Sequence, residues 1–278
     1  MSGRQPSLVM YSALAFGYAF LYIPIILLIV YSFNESRLVT IWSGFSTKWY
    51  GELLNNDKIL NAAWLSLKIA MTTATGAVVL GTLAAIMLVR FGRFRGRTPF
   101  ELMVTAPLIM PEVITGLALL LLFVALEQSF GWPAGRGVTT ITIAHLTIAM
   151  AYVTVVVRAR LIQMDISIEE AAMDLGARPL KVFLLITLPS IAPSLVAGWF
   201  LAFTLSLDDL VTTSFVSGPG SSTLPMEIYS SVRLGVSPQI NALATIVVVL
   251  VTCAIVISGM IMRRSDNEDR KKGWKVRG

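Results

Sequence analysis

Two neighbouring carboxylates, Asp208 and Asp209, lie inside an apolar stretch of the chain, Trp199–Val216. An ionised side chain at the centre of a bilayer costs ~3 kcal/mol on insertion scales, so acids in such a stretch are candidate functional residues. Thr204, Asp208 and Thr212 recur every four residues, and a helix would place them on one polar side. Carboxylates along a path through the membrane would attract a cationic solute. The alternative is that the two acids cap broken helices or lie near the outer interface.

A third acid, Glu112, directly follows the prolines Pro107 and Pro111 in another apolar stretch. Proline lacks the N–H that continues the helical hydrogen bonds, so we expect both prolines to break the helical ladder of hydrogen bonds and free carbonyl groups. Freed carbonyls and a carboxylate are tolerated at membrane depth only where they face protein or a water-filled cavity. Glu112 is therefore a further candidate for the path. Here too the alternative is a helix cap, or a place near the outer interface.

The chain offers few residues for other chemistry. A single cysteine, Cys253, excludes an intrachain disulfide, and with a single histidine, His145, the chain cannot form a Cys/His metal cluster. We expect His145 to have a helix-packing or interfacial role, without a nearby acid, rather than to relay protons. No Ser–His–Asp or Cys–His arrangement and no G-x-x-x-x-G-K-[S/T] phosphate loop is visible. We therefore predict no catalytic residue, no metal site and no cofactor, and ATP must be bound by a partner.

The stretch between the fourth and fifth apolar runs, residues 158–190, carries the signals of a short rigid helix. Ser167 and Glu170 form an S-x-x-E capping box, which starts a helix, and Gly176 stands where a left-handed cap would end it. Pro179 is suited to begin a second helix, which we expect to run to a break at Pro189. One apolar stripe recurs at helical spacing on the first helix: Ile168, Ala171, Ala172 and Leu175.

A helix of about two turns is marginal in water by itself, so the apolar stripe must dock onto something. One possibility is the headgroup layer of the membrane. Against it, the polar face carries Glu169, Glu170 and Asp174, which anionic lipid would repel. Docking onto another protein explains the stripe better.

Six apolar runs are long enough to cross a membrane as helices. They lie at residues 8–33, 62–89, 100–126, 138–157, 191–216 and 240–262. About 20 residues cross a hydrocarbon core as a helix, and lipid offers no partner for an unpaired backbone group. The chain is 55% hydrophobic and 14% charged, which agrees with a membrane protein in contact with lipid. We predict an all-α polytopic membrane protein, with residues 1–278 forming one transmembrane domain of six helices.

Lysine and arginine orient these spans. If the N-terminus is cytoplasmic, sixteen basic residues flank the spans on the inside and five on the outside, as the positive-inside rule requires. Both termini are then cytoplasmic, and the net charge of +6 reflects topology rather than nucleic-acid binding. Four aromatic residues in the outer loop fit either an interfacial belt or a contact with an extracytoplasmic partner: Trp42, Phe45, Trp49 and Tyr50.

The segment around Glu170 resembles a known motif. Glu170-Ala-Ala, three residues, Gly176, nine residues, then Ile186-Thr-Leu-Pro189 is a full match to the EAA loop, E-A-A-x3-G-x9-I-x-L-P, of ABC-importer permeases. In that family the loop forms the coupling helix, which sits in a cleft on the ATPase subunit. The resemblance implies that Glu170, Ala171, Ala172 and Gly176 meet the ATPase. Arg178 stands where many members have Ser or Thr before the proline.

A second resemblance extends over essentially the whole chain. Segments such as Leu205–Leu210, Phe215–Gly220, Thr223–Thr245 and Gly44–Leu54 are similar to those of the putrescine/spermidine permeases. This resemblance implies the type I (MetI-like) ABC importer fold, a heterodimer with a homologous second permease, two copies of an ABC ATPase and a periplasmic polyamine-binding protein. It also implies a multi-pass protein of the bacterial inner membrane.

These observations predict the permease subunit of an ATP-driven importer that forms half of a polyamine path. The residues expected on that path are Asp208, Asp209, Glu112, Thr204 and Thr212, and those expected on the ATPase are Ile168, Glu170, Ala171, Ala172, Leu175 and Gly176. The alternatives are a permease for another small solute and a stand-alone carrier driven by an ion gradient. The carrier leaves the amphipathic cytoplasmic helix unexplained.

Overall fold

The computed structural model of the protein describes residues 8–37, 41–234, 238–249 and 252–253. Within these ranges every regular element is a helix, which confirms the all-α prediction. The described residues form two compact units, one from those up to Asp57 and from Ser230 onward and the other from residues 58–229. The helices are α1 (Leu8–Ser32), α2 (Lys48–Leu54), α3 (Asp57–Arg90), α4 (Arg97–Ile109), α5 (Glu112–Phe130), α6 (Val138–Gln163), α7 (Ser167–Asp174), α8 (Pro179–Val182), α9 (Leu188–Asp208), α10 (Val211–Val216), α11 (Leu224–Leu234) and α12 (Pro238–Val249).

In the first unit, α1 is apolar on every side. None of its most hydrophobic 18-residue window is buried, and large side chains such as Phe16 and Phe20 are exposed along it. Such a helix needs lipid or another apolar surface around it, because exposing so much apolar area to water is unfavourable.

The outer loop of the first unit divides its aromatic residues into two groups. Trp49 is buried and its indole N–H donates to the carbonyl of Asn34 at 2.6 Å, while the Tyr50 hydroxyl hydrogen-bonds Ser32 at 2.7 Å. Trp42 and Phe45 remain exposed. Trp49 and Tyr50 thus stabilise the loop, and Trp42 and Phe45 remain available for an interface with lipid or with a partner.

In the second unit, α3, α6 and α9 pack through small side chains. Their shared core is built mainly from alanine and valine, with Ala77, Val153 and Ala202 fully buried. A second cluster joins α3 and α6 to α5 and α10 around Phe123 and Val216. Membrane helices approach closely where residues are small, because lipid tails give little hydrophobic drive for their association.

Gly81 shows how tight this contact is, and its replacement gives a first prediction. A Cβ there would lie 2.9 Å from the Cβ of Val153 and 3.0 Å from the carbonyl oxygen of Met150. We expect Gly81→Val to destabilise the fold by about 1–3 kcal/mol, the usual cost of overpacking. Its melting temperature in detergent should fall, whereas Gly17→Val should leave it unchanged, because nothing lies within 4 Å of a Cβ at Gly17. Equal melting temperatures of the two variants would contradict this description of the core.

The predicted spans correspond closely to the helices. Among the described residues, five helical stretches are long and apolar enough to cross a membrane, and α12 is a shorter apolar helix in the sixth predicted run. The remainder of that run, apart from residues 252–253, lies outside the described residues, as do Arg4 and the seven basic residues between positions 263 and 277 counted on the inside. Helix α6 continues to Gln163, beyond the predicted end at residue 157, because a helix does not stop where its side chains become charged.

Two predicted spans are each split into two helices. In the run at 100–126, α4 passes through Pro107 and ends at Ile109, and α5 begins after the extended residues Met110 and Pro111. The helix thus continues through Pro107, and the chain leaves the helical conformation only at Met110 and Pro111. In the run at 191–216, α9 ends at Asp208 and α10 begins at Val211.

The predicted break at Pro189 is wrong. Residues Pro179–Asp208 form one continuous helix of 30 residues. The stretch Phe183–Thr187 just before Pro189 is a π-helix, here called the π segment. Proline cannot donate to the carbonyl four residues earlier, and the wider π turn accommodates the ring without ending the helix.

Candidate functional site

The short helix α7 begins differently from the predicted capping box. Ser167 is the first helical residue and not the cap, and its backbone N–H donates to the Asp165 carboxylate at 3.0 Å. The hydrogen bonds from the backbone and hydroxyl of Ser167 lower the pKa of Asp165. The carbonyl of Ile166 accepts the N–H groups of Glu169 and Glu170. The helix therefore has a defined start, set by Asp165 rather than by Ser167 and Glu170.

The end of α7 confirms the predicted glycine cap. Gly176 has a φ of +86°, in the left-handed region. Its N–H donates to the carbonyl of Met173 at 2.8 Å, and the next N–H, that of Ala177, donates to Ala172 at 3.1 Å. This pair of hydrogen bonds is a Schellman motif, which satisfies carbonyls that would otherwise be left unpaired at the helix end. Both ends of α7 are thus fixed within eight residues.

Much of the apolar stripe of α7 faces away from the protein. Leu175 is 89% exposed and Ile168 is 55% exposed. Ala171 and Glu170 are exposed as well, and Ala172 is half-buried. A two-turn helix that presents large apolar side chains outward on a rigid frame is suited to insert into a recess on another protein.

Glu169 points the opposite way, although the sequence placed it with Glu170 and Asp174 on the polar face. It is only 9% exposed, and its carboxylate lies 3.0 Å from the guanidinium of Arg90 at the end of α3. The hydroxyl of Thr187, in the π segment, donates to the same oxygen at 2.9 Å. Sequence spacing offers no signal for this cluster, because Arg90 and Glu169 are 79 positions apart.

The acid pair lies at the break between α9 and α10. Asp209 is extended, and its carboxylate accepts hydrogen bonds from the backbone N–H of Thr213 at 2.8 Å and from its hydroxyl at 3.0 Å. Asp209 thus caps the start of α10. Asp208 is exposed, and in the part of the chain that the structure describes its carboxylate accepts no hydrogen bond from another residue. The carboxylate of Asp208 is therefore available to bind another group, whereas that of Asp209 is engaged at the start of α10.

His145 joins the two helices across this break. Its Nδ1 hydrogen-bonds Ser206 of α9 at 2.7 Å, and its Nε2 hydrogen-bonds Thr213 of α10 at 2.9 Å. The Nε2 atom also lies 3.6 Å from the Asp209 carboxylate. The expectation that no acid lies near His145 is therefore wrong. Because the imidazole is buried and both nitrogens are engaged, it holds the geometry of the break.

The threonines predicted beside the acids lie in different surroundings. Thr204 is exposed and its hydroxyl donates to the carbonyl of Phe200. Thr212 is fully buried, and its hydroxyl finds no hydrogen-bond partner among the described residues. The expected single polar side does not form, because the helix is interrupted between Asp208 and Val211.

Glu112 lies at the other helix break. It is exposed and is the first residue of α5, where the helix dipole favours a carboxylate. One turn later, Gly116 packs against α10, where an added Cβ would lie 2.7 Å from the ring of Phe215 and 3.3 Å from the Cα of Thr212. The structure thus brings the start of α5 against α10. Among the described residues no three His, Cys, Asp or Glu side chains group as metal ligands would.

Comparison with known proteins gives the same picture. Residues 77–267 match the family described as binding-protein-dependent transport system inner membrane component. The chain is 60% identical to the putrescine transport system permease protein PotI of Escherichia coli (strain K12), over 92% of this chain and 91% of that protein. It is 44% identical to the spermidine/putrescine transport system permease protein PotC of the same strain, over 92% of both chains.

Two solved structures share the fold. A chain of a bacterial ABC transporter involved in the import of the acidic polysaccharide alginate matches with a TM-score of 0.69 at 16% identity, over 92% of this chain and 95% of that one. A chain of an amino acid ABC transporter matches with a TM-score of 0.52 at 20% identity, over 74% and 94%. The fold is therefore the MetI-like permease fold of ABC importers, as the sequence predicted.

Several independent features agree: apolar helices long enough to span a membrane, an EAA loop whose first helix ends in a glycine cap, and two permease relatives that match over more than nine-tenths of their length. The chain therefore belongs to the binding-protein-dependent transport system inner membrane components, the multi-pass permease subunits of ABC importers.

Proposed function

We propose that this chain forms half of an ATP-driven path for a polyamine, putrescine or spermidine, and that α7 is the helix on which a partner ATPase acts. The observation that carries this proposal is the outward-facing stripe of α7, headed by Leu175 and Ile168, on a helix fixed at both ends. A ligand-driven change of state needs contacts that differ between the states. A stiff helix joined through the π segment to α9 can transmit such a difference.

The polyamine assignment rests on two supports. Relatives that cover most of the chain carry putrescine and spermidine/putrescine in their names. The second support is the exposed carboxylate of Asp208 at a helix break, with Glu112 at the break before α5. Carboxylates in a water-accessible break attract protonated amines. A solute without a positive charge would leave the exposed carboxylate of Asp208 without a partner among the described residues.

The partners of the proposed importer are a homologous second permease, two copies of an ABC ATPase that bind the ATP, and a periplasmic polyamine-binding protein. Exposed apolar surface such as that of α1 faces lipid or the second permease. Both termini are cytoplasmic. In support, basic residues lie near the helix ends that the positive-inside rule assigns to the cytoplasm: Arg90 ends α3 and pairs with Glu169 of α7, Arg97 begins α4, and Arg158 lies in the last two turns of α6.

Cysteine crosslinking tests the docking of α7. In a Cys253→Ser background, Leu175→Cys is expected to form a crosslink with the co-expressed ATPase subunit, because Leu175 is the most exposed residue of the stripe. The matched control is Phe130→Cys, which is 79% exposed and lies at the end of α5. Crosslinks should be scored on membranes by electrophoresis and mass spectrometry. Capture from Phe130 and none from Leu175 would overturn the proposed docking.

A further inference from the structure

Three elements meet at the carboxylate of Glu169, called here the Glu169 latch. Oε1 of Glu169, on α7, lies 3.0 Å from Nη2 of Arg90, the last residue of α3. The same oxygen accepts the hydroxyl of Thr187, the last residue of the π segment, at 2.9 Å. The Glu169 and Arg90 side chains are 11% and 16% exposed, and Thr187 is buried. The latch is thus largely shielded from water, where charged contacts are screened least.

The latch supplies a connection that the chain itself does not. Helix α7 is joined covalently to α6 through Met164–Ile166 and to α8 through Leu175–Arg178. Helix α3 is remote in sequence, and the ion pair between Arg90 and Glu169 ties it to α7. The end of α3 is itself held, because Arg97 donates to the carbonyls of Leu88 and Gly92.

The direction of Glu169 also sets the direction of the stripe. Glu169 and Glu170 are neighbours, and a helix turns about 100° between them, so one can face the bundle while the other faces out. With Glu169 turned inward, Glu170 and Leu175 are exposed. Charge placement favours this arrangement, because Arg90 is at a helix C-terminus and Glu169 is in the first turn of a helix.

We propose that Glu169 is a positioning residue for coupling: its latch to Arg90 and Thr187 carries displacement of α7 into α3 and into the helix that ends at Asp208. This inference rests on the proposed function and adds to it a route into two spans. Glu170 and Gly176 are then the residues that engage the ATPase, and Glu169 is the residue that passes the motion on.

The test uses the importer reconstituted in proteoliposomes with its second permease, ATPase and binding protein. Three quantities are measured: ATPase copurified with the permease, solute taken up, and ATP hydrolysed over the same time. Glu169→Ala is expected to keep copurification within twofold and to lower uptake per ATP at least tenfold. Asp174→Asn, an exposed acid on the same helix, should lower uptake per ATP less than twofold.

Two further variants separate positioning from loss of fold. Glu169→Gln keeps the side-chain shape and an oxygen for Thr187 but loses the charge, so its uptake per ATP should lie between wild type and Glu169→Ala. The reciprocal pair Arg90→Glu with Glu169→Arg should exceed either single variant at least fivefold, a rescue that a merely space-filling role would not give.

Three results would overturn the latch: uptake per ATP within twofold of wild type for Glu169→Ala, copurification that falls as much as uptake, or no rescue by the reciprocal pair. A failure of the proposed function is recognised separately. In that case Glu170→Ala and Gly176→Val would also leave ATPase capture and uptake unchanged.

Discussion

Uptake of a labelled diamine is expected to fall roughly 5- to 30-fold when Gly176 is replaced by valine, while insertion into the membrane is preserved. A β-branched residue is strongly disfavoured at the φ of +86° that Gly176 adopts, and forcing it there costs about 1–2 kcal/mol. A cost of one or two kcal/mol lowers the population of the capped helix by roughly 5- to 30-fold. Because nothing lies within 4 Å of a Cβ at Gly176, the effect arises from the backbone and not from a clash.

The matched control is Gly176→Asn. Asparagine tolerates the left-handed conformation better than other side chains, so this variant should retain most of the uptake. The measurements are uptake into cells that lack their own diamine importer and binding-protein-stimulated ATP hydrolysis by the purified complex. If the valine and asparagine variants transport equally well, the cap of α7 has no part in coupling.

Glu170→Ala tests whether the exposed carboxylate of α7 contributes to its docking. The side chain is free to meet a basic group on the ATPase, and a hydrogen bond to a charged group contributes about 1.5–3 kcal/mol. Uptake and stimulated hydrolysis should both fall about tenfold or more. Glu170→Ala and Gly176→Val weaken the docking of the same helix, α7.

The end of α7 could be predicted from the sequence because its determinants are local. Glycine eight residues after the first apolar position of the stripe, followed closely by Pro179, dictates a left-handed stop whatever surrounds it. The start differs from the prediction by one residue, because α7 begins at Ser167 itself and the Asp165 carboxylate accepts the Ser167 N–H; sequence does not choose between these two candidate caps. Spans were predicted for a similar reason: length and hydropathy are properties of the run itself.

Contacts between distant segments could not be predicted. His145 meets Asp209 and Ser206 only because α6 packs against α9, and Arg90 meets Glu169 only because α7 folds back under α3. Periodicity assigns each residue to a face of its own helix, but it does not say which helix that face meets. The residues around His145 and the Glu169 latch therefore both include polar side chains for which the sequence predicts no contact with a distant segment.

The positions of the helix breaks could not be predicted from the prolines in the sequence either. Pro107 lies within α4, Pro189 lies within a continuous helix, and the interruption at Asp209 has no proline beside it. Proline weakens a helix locally, but packing and a π turn can absorb that cost. At Asp209 the break is instead stabilised by its own carboxylate on Thr213 and by His145 from a neighbouring helix.

Replacing Asp208 by asparagine is expected to lower kcat/KM for diamine uptake roughly 10- to 150-fold, the effect of losing one charged hydrogen bond of about 1.5–3 kcal/mol. Its melting temperature should stay unchanged, because the carboxylate is exposed and bonds to no other described residue. Asp209→Asn should lower both uptake and melting temperature, since that carboxylate holds Thr213 and lies beside His145.

A general electrostatic effect must be separated from a direct contact with the solute. Asp57→Asn removes an exposed charge at the start of α3 and provides the control for long-range attraction, which salt would screen. Uptake by Asp208→Asn should therefore stay low at every ionic strength, whereas any small effect of Asp57→Asn should vanish as salt is raised. Transport by Asp208→Asn at the wild-type rate would remove Asp208 from the path and leave Asp209 with a structural role in the break.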